Sequence, residues 1–379
     1  MLLSGLLPFR LPDLRRPATS RFVDEAECVL SVLLSIALAR LFGAHNISWA
    51  AFSGYMVMRG HVADSLRRGG LRVLGTAMGA GLALVLVPFV RNNIPLCALV
   101  GGVTGGATLF GALTRRHSYA WLFTGFTFEM VMLDILQHPH DVLIHFATTR
   151  FTEVSSGVVA CVIISSLSTL TLRQRWPGTR MALPNPVGWH PHALRHAAQG
   201  AVALSLLPLL QSQFGIVDLS QGAISILAVM MVPVSTVGLS GLIPVSRKLF
   251  CRIIGCLGGT ALAFSGLFLA HGHPQFLLLA TIVGVILGRH IENGGHSFAY
   301  VGTQFTLAVL VALVPDNYTQ VAVEPAVSRL CSILIGMLLL EPILIVWHII
   351  TPRLLAFTHR TSVKSVHILD ARLKRQTYR

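Results

Sequence analysis

Charge is scarce in this chain, and negative charge most of all. Only 12% of the 379 residues are charged, and 15 acidic side chains face 29 basic ones. Soluble domains carry roughly a quarter of their residues as charges, so a water-soluble body is excluded. The six cysteines have no metal-type spacing and suggest no disulfide framework; they read as small apolar packing residues. Neither a phosphate-cradling Walker A run nor an acceptable G-x-S-x-G nucleophile elbow occurs, which argues against ATP-driven pumping and against that hydrolase chemistry. The pairs His138-Pro-His140 and His271-Gly-His273 want the wider ligand set of a zinc site. No stretch between apolar runs is long enough for a soluble catalytic domain, and no cofactor is implied.

What the chain does have is apolar length. Hydrophobic residues make up 53%, with a mean hydropathy of +0.70. Runs of about 16 to 25 apolar residues recur, each enough to cross roughly 30 Å of hydrocarbon as a helix. Strand-type alternation is missing, and a bilayer offers the backbone no partners, so helices are expected. Spans are predicted at 22–43, 47–62, 71–90, 94–113, 118–137 and 147–172, then at 195–214, 219–236, 249–270, 274–288, 297–315 and 326–350.

The text of the chain also repeats. HSYAWLFTGFT from His117 returns as HSFAYVGTQFT from His296, and Arg150–Gly157 returns as Arg329–Gly336 at the same spacing. Arg72-Val-Leu-Gly75 answers Arg252-Ile-Ile-Gly255, and Phe42–Met58 answers Phe214–Met230. The expected architecture is therefore an all-α integral membrane protein of about 12 transmembrane helices in two tandem six-helix repeats. The parts are an N-terminal segment 1–20, repeats 21–172 and 194–351, a Pro-rich linker 173–193 and a basic tail 352–379. With a cytoplasmic N-terminus, every basic residue except Arg40, Arg91, Arg150 and Arg329 falls on one side. This positive-inside pattern puts both termini in the cytoplasm. The net charge of +14 is then a topology device and a lipid-headgroup contact, not a nucleic-acid footprint. The tail reads as a basic amphipathic helix along the inner leaflet. The start MLLSGLLPFRLPDLRRP reads as an interfacial segment, not a signal peptide.

Glycines recur at i and i+4 in the third and fourth spans of each half: Gly75/Gly79, Gly101/Gly105, Gly255/Gly259 and Gly284/Gly288. Such faces allow close backbone approach, and packing between spans three and four is expected.

These residues carry a resemblance. Trp49-Ala-Ala-Phe-Ser53, Arg67-Arg68, Arg72-Val-Leu-Gly75-Thr76 and Arg150…Gly157, echoed by Arg247-Lys248, Arg252…Gly255 and Arg329…Gly336, resemble the fusaric acid resistance family, which includes the aromatic acid exporters. Plant aluminium-activated malate transporters look like distant relatives. The resemblance implies efflux of organic anions, often aromatic carboxylates, from the bacterial cytoplasm across the inner membrane. Many such exporters carry large cytosolic domains that this sequence does not contain. A periplasmic adaptor and a second copy of the chain are compatible partners, besides the bilayer and the anion.

Ionisable residues inside a bilayer are functional candidates. Arg150 and Arg329 hold matching places near the outer start of each sixth span, where a guanidinium could hold a carboxylate or could serve as a snorkelling anchor. In the malate-transporter relatives a similar arginine faces the anion path. Glu153 lies on the face of Arg150 and can pair with it. Glu129 sits midway along the fifth span. Glu129 and Glu153 are candidates for proton coupling, since a buried carboxyl can exchange a proton near neutral pH, although a structural ion pair is the alternative. Glu341, before Pro342, offers a satisfied carboxyl at a kink or a coupling site. His117 and His296 begin the fifth spans and could meet an anion, while Ser118 and Ser297 could simply cap those helices. Trp121, Phe126, Tyr300 and Phe305 could stack on an aromatic ring or pack the core. Trp49 and Gln221, at the outer starts of the short second spans, complete the substrate-binding candidates, because interrupted spans in matching places point to a site and their helix ends offer partial charge. The function expected is proton-coupled export of small organic anions. The alternatives are a passive anion channel, or a membrane enzyme or envelope scaffold.

Overall fold

The computed structural model describes residues 18–350 except 183–184, 217–218, 239, 271–272, 295–297, 317–326 and 329. The N-terminal segment before Ala18, the tail, Arg329, His296, Ser297 and His271 therefore lie outside the described residues. The helices are α1 (Ala18–Leu41), α2 (Ile47–Val57), α3 (Val62–Val90), α4 (Ile94–Thr114), α5 (Ser118–Gln137), α6 (Leu143–Leu170) and the short α7 (Leu172–Arg175). There follow α8 (Pro191–Phe214), α9 (Ser220–Met230), the short α10 (Val234–Val237), α11 (Leu242–Ala270), α12 (Pro274–Glu292) and α13 (Ala299–Leu313), and α14 (Leu330–Ile350). There is no strand among the described residues.

Among the described residues, eight helices are long and apolar enough to cross a membrane. α3 and α11 expose Leu74, Leu82, Phe89, Phe250, Leu257 and Phe268, which water would penalise and lipid tails accept. The chain is an all-α integral membrane protein of the multi-pass kind. α3 begins at Val62, nine residues before the apolar run that predicts it, because Arg67, Arg68 and Arg72 lie on its first turns and interrupt the hydropathy without interrupting the helix.

Glycine sets the packing. A Cβ on Gly255 would lie 2.6 Å from the Val301 carbonyl, and one on Gly79 would meet the Thr124 carbonyl and lie 2.8 Å from Thr127 Cβ. The third spans thus close on the fifth spans, not on the fourth as expected. Both α3 and α4 pack against α5, as α11 and α12 pack against α13. Gly157 of α6 would clash with α2 at Ser53 Cβ, and Gly336 of α14 with α9 at the Gly222 carbonyl.

The buried apolar residues form two main clusters. One joins Leu109, Phe123 and Met130 to Leu204, Leu227 and Leu340. The other joins Val32, Phe52 and Val158 to Val285, Leu307 and Leu310. Each draws on both halves of the sequence. Trp49 packs against both.

Candidate functional site

α2 and α9 span 11 residues each, about 16 Å at 1.5 Å per residue, well short of a bilayer. Their last carbonyls need partners inside the bundle. Arg68 Nε donates to Met56 O at 3.0 Å, Arg59 Nη1 to Met58 O at 2.7 Å and Arg289 Nη2 to Met58 O at 3.3 Å. At α9, Lys248 Nζ donates to Ala228 O at 2.8 Å and Met231 O at 2.6 Å, and a ring nitrogen of His196 lies 3.0 Å from Met230 O. Cations complement the negative helix end.

One turn beyond Arg68 stands Arg72, and one turn beyond Lys248 stands Arg252. They are the largest fully buried side chains among the described residues. Arg72 Nη1 donates to the Tyr119 hydroxyl at 3.2 Å, and its guanidinium lies 4.1 Å from the Phe123 ring centroid and 4.9 Å from that of Phe52. Arg252 Nη1 donates to Tyr300 OH at 3.3 Å and to Gln304 Oε1 at 2.7 Å. Both Nε atoms are buried without a hydrogen-bond partner among the described residues. No described carboxylate lies within ion-pair distance of either. Arg72, set between aromatic rings, and Arg252, held by two neutral oxygens, are desolvated cations that leave charge to be met.

Glu129 is the matching acidic singularity. It is fully buried, and neither oxygen has a hydrogen-bond partner among the described residues. A Cβ on Gly105 would lie 2.9 Å from Oε1, and one on Gly101 would lie 3.4 Å from Oε2, so glycine makes the room this carboxyl occupies.

Arg150 is surrounded by acid. Its Nη1 donates to Glu153 Oε2 at 3.0 Å and its Nη2 to Asp134 Oδ2 at 3.4 Å, with the Trp49 ring centroid 5.2 Å away. The N-terminus of α2, expected to offer partial charge to a substrate, is already met by protein carboxylates. Asn46 N donates to Glu153 Oε1 at 3.1 Å, and Ile47 N to Asp316 Oδ1 at 2.8 Å. Partial burial raises the Asp316 carboxyl above its ordinary value, against the lowering pull of the Ile47 amide, His45 and Arg150. Gln221 stands at the start of α9 with Oε1 buried and unpartnered among the described residues.

His117 is exposed at the N-cap of α5 and makes no side-chain cap bond; Ser118 is the first helical residue, so the expected serine cap is not what begins this helix. Glu341 Oε1 accepts from Ser246 Oγ at 2.5 Å while Oε2 is unpartnered among the described residues. Tyr300 is drawn to Arg252, while Phe126 joins the core with Phe123 at 5.1 Å. Arg72 and Arg252 were legible only as family signature. Their signal was an arginine one turn inside a basic helix end, which reads as a topology charge until its burial is seen.

A model of the fusaric acid resistance protein family matches residues 27–202. Over 165 residues the chain is 28% identical to the p-hydroxybenzoic acid efflux pump subunit AaeB of Edwardsiella tarda, covering 40% of this chain and 25% of that protein. The AaeB subunit of Edwardsiella ictaluri is likewise 28% identical over 165 residues, 40% of this chain and 25% of its own. That of Musicola paradisiaca is 29% identical over 151 residues, 36% and 23%. The matched stretch thus spans about a quarter of these curated relatives. No solved structure matches the chain. Residues 27–202, which hold Trp49, Arg68, Arg72 and Arg150, are thus similar to the fusaric acid resistance protein family.

Proposed function

We propose that this chain forms the path of an inner-membrane exporter for small organic anions, aromatic carboxylates first, driven by proton entry. The carrying observation is the pair Arg72 and Arg252, buried cations with neutral partners in a membrane bundle. A guanidinium stays charged and holds a carboxylate bidentately. The relatives named as p-hydroxybenzoic acid efflux pump subunits support the substrate class. Glu129, with both oxygens unpartnered among the described residues, carries the proton. Glu153 is the second proton candidate, through its contact with Arg150. Arg150 and Trp49, Gln221, His117, and Arg329 with His296 outside the described residues, remain anion-contact candidates along the path.

The same reading includes two six-helix repeats, 21–172 and 194–351, joined by 173–193, with both termini cytoplasmic. Matching contacts support it: α2 packs on α13 as α9 packs on α5, and α1 on α12 as α4 on α8.

The test is uptake of a labelled aromatic-acid panel by inside-out vesicles, with and without a pH gradient. Uptake should require the gradient. Arg72→Gln and Arg252→Gln should abolish it, and Glu129→Gln should remove its dependence on the gradient. Equal flux with the gradient collapsed would mean a channel. Unchanged uptake by Arg329→Ala would remove Arg329 from the path.

A further inference from the structure

Beside the start of α5, beneath the connection between the two halves, lies a cavity of about 220 Å³. Four arginines line it: Arg59, Arg67, Arg68 and Arg116. Two of these are already fixed in place. Arg59 and Arg68 are held by the last carbonyls of α2, and the Arg68 guanidinium lies 4.1 Å from the Tyr119 ring centroid. Arg67 and Arg116 have no ion-pair partner among the described residues. One carboxylate, Asp64, shares the wall, but its Oδ2 accepts the Met181 amide at 2.8 Å and so ties down the linker. Burial, then the neighbouring Arg68 and Arg289, pull Arg59 down to about 10, a repulsion that a bound anion would relieve.

The rest of the wall is mainly apolar, from Leu71, Leu122 and Met231, with Ser118 and Tyr119 beside them. Met231 follows the block that answers Phe42–Met58, so it stands where Arg59 stands in the first half. The cavity thus sets guanidiniums beside a thioether and two leucines, a fit for a ring with one charged end. At 220 Å³ it is smaller than the roughly 300–1,000 Å³ of drug-sized sites, which favours a single ring. A second cavity of about 510 Å³ shares Ser118 and Met231 with it and continues along Val232 and Pro233.

We infer that this cavity is a capture site for a small aromatic monocarboxylate at the basic end of the bundle. Neither Arg72 nor Arg252 lines the cavity, and Tyr119, which does, joins it to Arg72. The site rests on the transport reading for its purpose but not for its binding chemistry. The competing source of the same anionic group is an acidic lipid headgroup.

The full chain in nanodiscs of phosphatidylcholine alone should bind benzoate and not benzamide in equilibrium dialysis. The double variant Arg67→Gln/Arg116→Gln removes only half-buried and exposed charges, so its melting temperature should hold while benzoate affinity falls by about tenfold or more. Arg175→Gln, exposed and outside the cavity, tests for a general charge effect and should leave benzoate binding near wild type. Undiminished benzoate binding by the double variant overturns the inference. So does a protein that ignores benzoate but retains phosphatidylglycerol through these arginines. If the double variant loses benzoate yet transports at the wild-type rate, the cavity is not a capture site. If benzoate binds as described and no vesicle transport is found, the transport reading fails while the binding site stands.

Discussion

Arg72 shows what one residue means in this fold. Its guanidinium is wrapped by Phe52, Phe123 and Tyr119, with no described carboxylate near. A charge kept in that state for stability alone would be a poor choice, since replacing buried charges by apolar groups of similar volume is commonly neutral or stabilising. Arg72→Met should therefore leave the melting temperature in detergent unchanged or raised, while vesicle uptake of aromatic acids is lost. A melting temperature lowered by many degrees would mark Arg72 as structural. The motif around Arg72 was plain in the sequence. Its burial was not, because Phe123 lies some fifty residues further along the chain and arrives through the docking of α5. Arg150 runs the other way: it was legible as an intramembrane arginine, and Glu153 as its partner, but Asp134 reaches it only because α5 and α6 pack together.

The elements obey local rules that contact then redirects. The short second spans were readable from their broken apolar runs, and α2 and α9 are indeed short. The glycine faces were readable too, but not the neighbour each face would meet. Gly106 packs on α8, where an added Cβ would lie 2.7 Å from Ala201 Cβ, whereas Gly81 of α3 has nothing within 4 Å. Gly106→Ala should destabilise the protein by about 1–3 kcal/mol through overpacking. Gly81→Ala should instead stabilise it by about 0.5–1 kcal/mol through helix propensity. Thermal unfolding in one detergent compares the two; equal effects would contradict the packing. Glycine spacing reports that a close approach exists, and periodicity carries no address for the partner.

At the scale of the molecule, the two halves of the sequence meet along two unlike seams. Between α4 and α8 the contact is small-residue packing, Gly102 and Gly106 against Ala197, Ala201 and Ser205. Between α1 and α12 it is ionic: Arg289 Nε donates to Asp24 Oδ2 at 2.6 Å and Nη2 to Oδ1 at 3.1 Å, and Asn293 Nδ2 donates to Asp24 Oδ2 at 2.7 Å. Arg173 extends the network to Glu27 at 2.7 Å, and Tyr55 OH to Glu292 at 2.7 Å. Asp24→Asn leaves Arg289 buried beside fewer charges and should cost about 3–5 kcal/mol. Adding Arg289→Met should recover much of that loss, which a double-mutant cycle on unfolding would read as coupling. Additive losses would show that the pair does not act as a unit.

Hydropathy, the one-sided basic residues and the repeated motifs belong to single residues and short windows, so the sequence by itself determined the membrane class, the place of the long apolar helices and the family signature. Partnership depends on groups that meet across a hundred residues or more, and only the tertiary structure decided it. Asp24 found Arg289, α2 found α13, and both apolar cores formed from the two halves of the sequence together. The physical reason is that lipid sorts residues one at a time by their cost of transfer, whereas packing and ion pairing are paid only between surfaces that fit.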